Sequence, residues 1–161
     1  MNKNAFIKQK EELNRLLTRP YVSRDQLSRG QKLLPSNLIK VITGPRRAGK
    51  SIFCLELLRD TKFAYANFDD EALKAIQNYD EIISGLQEFY PNSDYYLFDE
   101  IQNLPNWEIF VNKLQRRGFN LLLTGSNSKL LSGELATQLT GRHVTLEIFP
   151  FSYHEFKKIN S

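Results

Sequence analysis

The apolar positions of this chain change their period several times from the N-terminus onward, and each change marks an element. Phe6, Leu13, Leu16 and Leu17 recur at helical spacing, and the helix they predict stops at Arg19-Pro20, because proline disfavours helix in the residue before it. Residues 20–37 read as a connector with one short helix. Leu38–Thr43 is short and β-branched, which predicts a strand. Lys50–Arg59 carries Ile52, Phe53, Leu55, Leu57 and Leu58 and predicts a helix, and Phe63–Phe68 alternates as a second strand. Ala72, Leu73, Ile76, Tyr79, Ile83, Leu86 and Phe89 then follow a 3.6-residue period up to Tyr90-Pro91, enough for one or two helices. Tyr95–Phe98 predicts a third strand, and Trp107, Phe110, Val111 and Leu114 mark one face of a helix that stops near Gly118. Phe119–Thr124 and Val144–Phe149 predict the fourth and fifth strands. Strands separated by helical stretches require right-handed crossovers. The expected fold class is therefore α/β: a three-layer α/β/α sandwich around a mostly parallel five-stranded sheet. No repeat or Gly/Ser linker divides the chain, so residues 1–37 are expected to pack as a helix and connector on a core formed by residues 38–161.

Composition narrows the class. With 161 residues, 41% hydrophobic and 25% charged, the chain is long enough for one core and is neither collagenous nor disordered. Its one cysteine, Cys54, cannot form an intrachain disulfide, and the Met-Asn-Lys-Asn start lacks the apolar stretch of a secretory signal, which predicts a cytoplasmic protein. No apolar run approaches the ~20 residues of a membrane span, so no membrane partner is expected. The net charge of +4 is uneven: residues 1–40 hold nine Lys/Arg against Glu11, Glu12 and Asp25. Those charges are dispersed without interleaved aromatics, the pattern of a solvated helix face more than of a nucleic-acid arm.

The candidate chemistry begins where the first strand ends. Gly44-Pro-Arg-Arg-Ala-Gly-Lys-Ser51 satisfies G-x-x-x-x-G-K-[ST] between a predicted strand and a predicted helix, the setting of a phosphate loop. Chance occurrence in a chain of this composition is about 0.3%. Glycines let consecutive N–H groups face phosphate oxygens, and the new helix adds its positive end. Gly44, Pro45, Arg46, Arg47, Ala48 and Gly49, with Lys50, Ser51 and Ile52 at the head of the helix, are thus the candidate nucleotide-binding residues. Lys50 would reach the β and γ phosphates, and Ser51 would offer a hydroxyl oxygen to Mg²⁺. Arg46 and Arg47 at the tip could meet phosphate, a neighbouring subunit or only solvent.

Tyr95-Tyr-Leu-Phe98-Asp99-Glu100 is an apolar strand ending in two carboxylates. Asp99 is placed to hold Mg²⁺ and Glu100 to deprotonate an attacking water, although the same pair would also favour a helix N-terminus. After the fourth strand, Ser126 or Asn127 could sense the γ phosphate or the water. Arg142, before the fifth strand, could neutralise charge on the transferring phosphoryl group. Asp69-Asp70 is expected to cap a helix, and Trp107 to anchor the core.

Leu38–Ser51, Phe98-Asp-Glu-Ile-Gln102 with Trp107, Leu123–Ser128, and Leu139-Thr-Gly-Arg142 through Phe149-Pro-Phe-Ser-Tyr-His-Glu-Phe156 resemble the N-terminal ATPase domain of a prokaryotic AAA+-like family whose members also carry a C-terminal domain of unknown function. The resemblance implies ATP and Mg²⁺ as ligands, ADP as product, and the additional-strand sheet, in which another strand separates the acidic strand from the phosphate-loop strand. It implies a nucleotide-driven switch or motor that self-associates, with Arg142 reaching a neighbour's γ phosphate in preference to its own. Family members continue for some two hundred residues past Phe156, so this chain is expected to be a fragment, and a nucleic-acid or protein client would meet the missing region. Two rivals are a nucleotide-dependent binding module for DNA or protein with little turnover, and a small-molecule kinase. A kinase has no need of Glu100 and would carry an Arg-rich lid, while Asn112-Lys-Leu-Gln115 lacks the Asp of a guanine reader.

Overall fold

Five short runs of apolar residues lie side by side, and every pairing between them is parallel. In the computed structural model, which describes residues 3–126, 130, 139, 142–150, 152, 155 and 157, they are β1 (Ile39–Gly44), β2 (Phe63–Asn67), β3 (Tyr95–Asp99), β4 (Leu121–Ser126) and β5 (His143–Glu147). The sheet order is β2-β3-β4-β1-β5, so β4 separates the acidic strand from β1. The helices are α1 (Lys3–Leu17), α2 (Leu27–Leu33), α3 (Lys50–Leu57), α4 (Glu71–Lys74), α5 (Asp80–Phe89) and α6 (Trp107–Arg116), with a 3₁₀ turn at Ile101–Asn103.

Side-chain alternation along β3 separates the two faces of the sheet. Phe98 stacks on Phe110 of α6 at 5.6 Å and meets Phe68 edge-on at 5.7 Å, whereas Asp99, the next residue, meets Ser51 of α3. Helices α6 and α3 therefore cover opposite faces, and β1 is buried along its whole length. Such aromatic pairs add about 0.5–1.5 kcal/mol each beyond area burial. Lys40 interrupts the apolar pattern of β1: its Nζ donates to Ser36 O and to Asn120 Oδ1 (2.7 Å), and burial lowers its pKa to about 8.

The edge strand β2 is closed by α1, where Gln9 Nε2 donates to Asn67 O (3.0 Å) and Gln9 Oε1 accepts from Asn67 N–H (2.9 Å). The glutamine supplies the pairing that a further strand would have given. Phe119 is expected in β4, but the strand starts at Leu121 because α6 uses Phe119 to end. The Phe119 N–H donates to Leu114 O, the Gly118 N–H donates to Gln115 O, and Gly118 has a left-handed φ of 87°.

Candidate functional site

The site is built where β1 ends. Gly44 must be glycine there, because a Cβ would sit 2.2 Å from Ile148 O, where the chain leaving β5 crosses behind the loop. The Ile148 N–H donates to Thr43 O at 2.7 Å. The loop turns through Ala48 N–H to Pro45 O (3.2 Å) and two left-handed residues, Arg47 (φ 64°) and Gly49 (φ 86°), before α3 begins at Lys50. Pro45, Arg46 and Arg47 are exposed at the tip, whereas Ala48 and Lys50 are buried and Ser51 and Ile52 are half-buried. Lys50 Nζ lies back over the loop, donating to Gly44 O and Pro45 O at 3.1 Å each.

Across from the head of α3, Asp99 is 4% exposed at the end of β3. Ser51 Oγ lies 2.8 Å from both its oxygens, Tyr65 Oη donates to Oδ2 at 3.2 Å, and Thr124 Oγ1 donates to Oδ1. Burial raises the Asp99 pKa above the usual carboxylate value, with the hydroxyl donors pulling the other way. Burial, and after it the same carboxylate, raise the Tyr65 pKa. Glu100 follows in a left-handed conformation (φ 53°), uncommon for a residue with a Cβ. Its N–H donates to Thr124 Oγ1 (3.0 Å), and its Oε2 accepts from Gln102 Nε2 (2.6 Å). Ser126 is paired in register with Gly44 and so stands beside the start of the loop.

A model of the AAA domain matches residues 36–157. The chain belongs to the AAA domain family. It is 42% identical over 135 residues to an uncharacterised protein of Methanocaldococcus jannaschii, a match covering 81% of this chain and 30% of that one. The chain spans about a third of the length of the curated relatives it matches. Its fold is similar to Hsp104 in a closed state with ATPγS and FITC casein (TM-score 0.63, 13% identity, 99% of this chain, 31% of that one). It is also similar to the P-loop NTPase domain of a sigma-54 transport activator from E. coli (TM-score 0.52, 16% identity, 78% of this chain, 92% of that one). The strand between the acidic strand and β1 is the AAA+-like arrangement expected from the sequence.

The AAA domain brings Lys50, Ser51, Asp99, Glu100 and Ser126 to one edge of its sheet, the C-terminal ends of β1, β3 and β4. Asn127 lies outside the described residues. Arg142 does not join them: its carbonyl accepts from Ile39 N–H (2.8 Å) at the opposite end of β1, and it is exposed. The length of β1 puts it ~16 Å from the loop, at about 3.3 Å per residue. The expectation that Arg142 could reach its own γ phosphate is corrected by that placement, since in a parallel pair the residue before β5 faces the beginning of β1, not its end. Asp70 caps α4 through Ala72 N–H (2.9 Å), and Trp107 is buried at the start of α6.

Tyr65, Thr124, Gln102 and Arg24 touch the site and escape a linear reading. Thr124 is legible only from its register beside Asp99, and Arg24 was one of nine dispersed charges. Arg24 is 6% exposed, and its Nη2 donates to Ala48 O at 2.8 Å. The donor set fits a hard cation and a polyphosphate. Three hydroxyls surround the buried Asp99 carboxylate, and among the described residues no basic side chain forms an ion pair with it.

Proposed function

We propose that this chain is a Mg²⁺-dependent ATP-binding and ATP-hydrolysing AAA domain, working as a nucleotide-driven switch or motor on a macromolecule. The observation that carries the reading is the pairing of Ser51 with the buried Asp99 carboxylate at the head of a phosphate loop whose lysine lies over the loop carbonyls. In this reading the loop N–H groups and Lys50 neutralise the phosphates, and Ser51 and Asp99 hold Mg²⁺, which screens the β- and γ-phosphate charge. Glu100, held by Gln102 and by its own N–H on Thr124, takes the proton of the water that attacks the γ phosphorus as the bond to the β-phosphate oxygen breaks. Ser126 is the described candidate for sensing the γ phosphate. A mostly apolar cavity of about 350 Å³ next to Gly49, lined by Pro20, Tyr21, Val22, Arg24, Ile52 and Phe53, is of a size for a purine base. Arg142, exposed at the end of the sheet away from its own loop, is assigned to a neighbouring subunit's nucleotide, and self-association is part of the proposal.

The test is phosphate release from ATP and from GTP, with Mg²⁺ and with EDTA. Mg²⁺-dependent release from ATP supports the reading, whereas no release at any protein concentration contradicts hydrolysis.

A further inference from the structure

Arg24, which also lines the cavity beside Gly49, and Glu155 form a buried ion pair to which the proposed chemistry assigns no step. They are 6% and 3% exposed, with Arg24 Nε 3.6 Å from Glu155 Oε2. A buried pair of this kind contributes little net stability compared with well-packed apolar residues, so its geometry has to be explained by what it positions.

Each partner is held from more than one side. The Glu155 carboxylate accepts from Asp25 N–H (2.9 Å) and Ser152 N–H (2.9 Å), and the Glu155 N–H donates to Ser152 Oγ (3.1 Å), a reciprocal Ser-x-x-Glu cap. Burial raises the Glu155 pKa, but these N–H donors and the Arg24 guanidinium outweigh it, and the carboxyl titrates below the usual value. Arg24 spends Nη2 on two backbone carbonyls, Ala48 O inside the phosphate loop and Phe149 O in the segment leaving β5. The planar guanidinium lets one side chain face two sides, Nη2 donating to both carbonyls while Nε faces Glu155, a span that the single nitrogen of an ammonium lacks.

Only one of those carbonyls belongs to the loop, and it is the one that matters for a ligand. Across a trans peptide the C=O of Ala48 and the N–H of Gly49 point in opposite directions. Holding the Ala48 carbonyl on Arg24 therefore directs the Gly49 N–H away from it, at the point where the chain takes its left-handed φ of 86° and α3 starts. We infer that Arg24, oriented by Glu155, is a positioning residue of the phosphate loop, fixing the Ala48–Gly49 peptide in the orientation that receives phosphate. The inference rests on the reading of this loop as a nucleotide site. It also makes Ser152 and Glu155 partners of that site: what displaces them loosens the loop, and nucleotide binding stabilises their contacts in return.

The experiment is titration of a fluorescent ADP at ~10 °C, well below melting, with wild type, Arg24→Lys, Glu155→Gln, the double variant and Lys50→Ala. A purely structural role would lower the melting temperature and leave this affinity unchanged. Positioning predicts a ~10-fold or larger loss in each single variant, the scale of a charge-assisted hydrogen bond. The double variant should be no worse than the worse single, because the two residues act as one unit. Should both ion-pair variants fail to fold, Ser152→Ala loosens Glu155 while keeping the pair, and ~2- to 5-fold weaker binding is expected at the cost of one cap. Wild-type affinity in folded Arg24→Lys and Glu155→Gln, or in Ser152→Ala when those do not fold, would overturn the inference. If Lys50→Ala alone loses binding, the nucleotide reading survives; if wild type does not bind, both fall.

Discussion

Asp99 shows at the scale of one residue how a site trades stability for binding. Its carboxylate is buried among hydroxyls, and burial favours its protonated form. Because the folded-state pKa is raised, this group's contribution is fully present below the unfolded pKa and is lost as pH rises through the folded value. Asp99→Asn should therefore raise the melting temperature of the nucleotide-free protein at neutral pH. A gain of about 1–2 kcal/mol corresponds to roughly 2–8 °C at this size, and it should shrink towards pH 4. The same variant should lose the stabilisation that Mg²⁺ with nucleotide gives wild type; melting curves with and without MgADP read both effects. Glu100→Gln should behave differently, keeping MgATP binding while phosphate release falls ~10²-fold, the usual worth of a general base. An unchanged rate would remove Glu100 from the chemistry. Asp99 and Glu100 were legible because two carboxylates end an apolar strand, a local pattern. Thr124 and Gln102 were not, since their part depends on which strand lies beside β3 and on how the chain turns at Glu100.

Elements were legible wherever the apolar period was long, and their ends were less so. The run from Ala72 to Phe89 divides into α4 and α5, and β4 begins two residues later than the apolar run suggests because Phe119 closes α6. At the loop, the glycine pattern was visible in sequence, but the reason for Gly44 was not: Ile148 O lies where a Cβ would go. Gly44→Ala should displace the chain leaving β5 as well as the loop. The expected cost is about 1–3 kcal/mol, as in overpacked cores, which is a fall of roughly 2–12 °C in the melting temperature. An unchanged melting curve would show that the crossing chain gives way freely. The arm of residues 1–40 is a mixed case. Most of its basic residues lie exposed or half-buried, as dispersed charge predicts, whereas Arg24 and Lys40 are buried by contacts with residues 48, 149, 155 and 120, too distant in sequence to be read from spacing.

For the molecule as a whole, the sheet order decides what one copy can do alone. The order β2-β3-β4-β1-β5 gathers Lys50, Ser51, Asp99, Glu100 and Ser126 at one edge and leaves Arg142 at the other. The expected parallel sheet already implied this, because a residue that precedes one strand lies at the opposite end from residues that follow its neighbour; the sequence left open only that β5 pairs directly with β1. If Arg142 completes a neighbour's site, specific ATPase activity should rise steeply with protein concentration, and Arg142→Ala should lie ~10³-fold below wild type where wild type is assembled, the scale of an arginine finger. Activity that is high and independent of concentration would reject the role in a neighbour. The claim on which these expectations depend is that the loop from Gly44 to Ser51 binds MgATP, and calorimetric titration of MgATP into wild type and Lys50→Ala tests it most directly. The account predicts saturable one-site binding by wild type and an affinity ~100-fold or more weaker in Lys50→Ala, with both proteins folded by circular dichroism. Equal affinities, or no heat of binding with folded wild type, would contradict it.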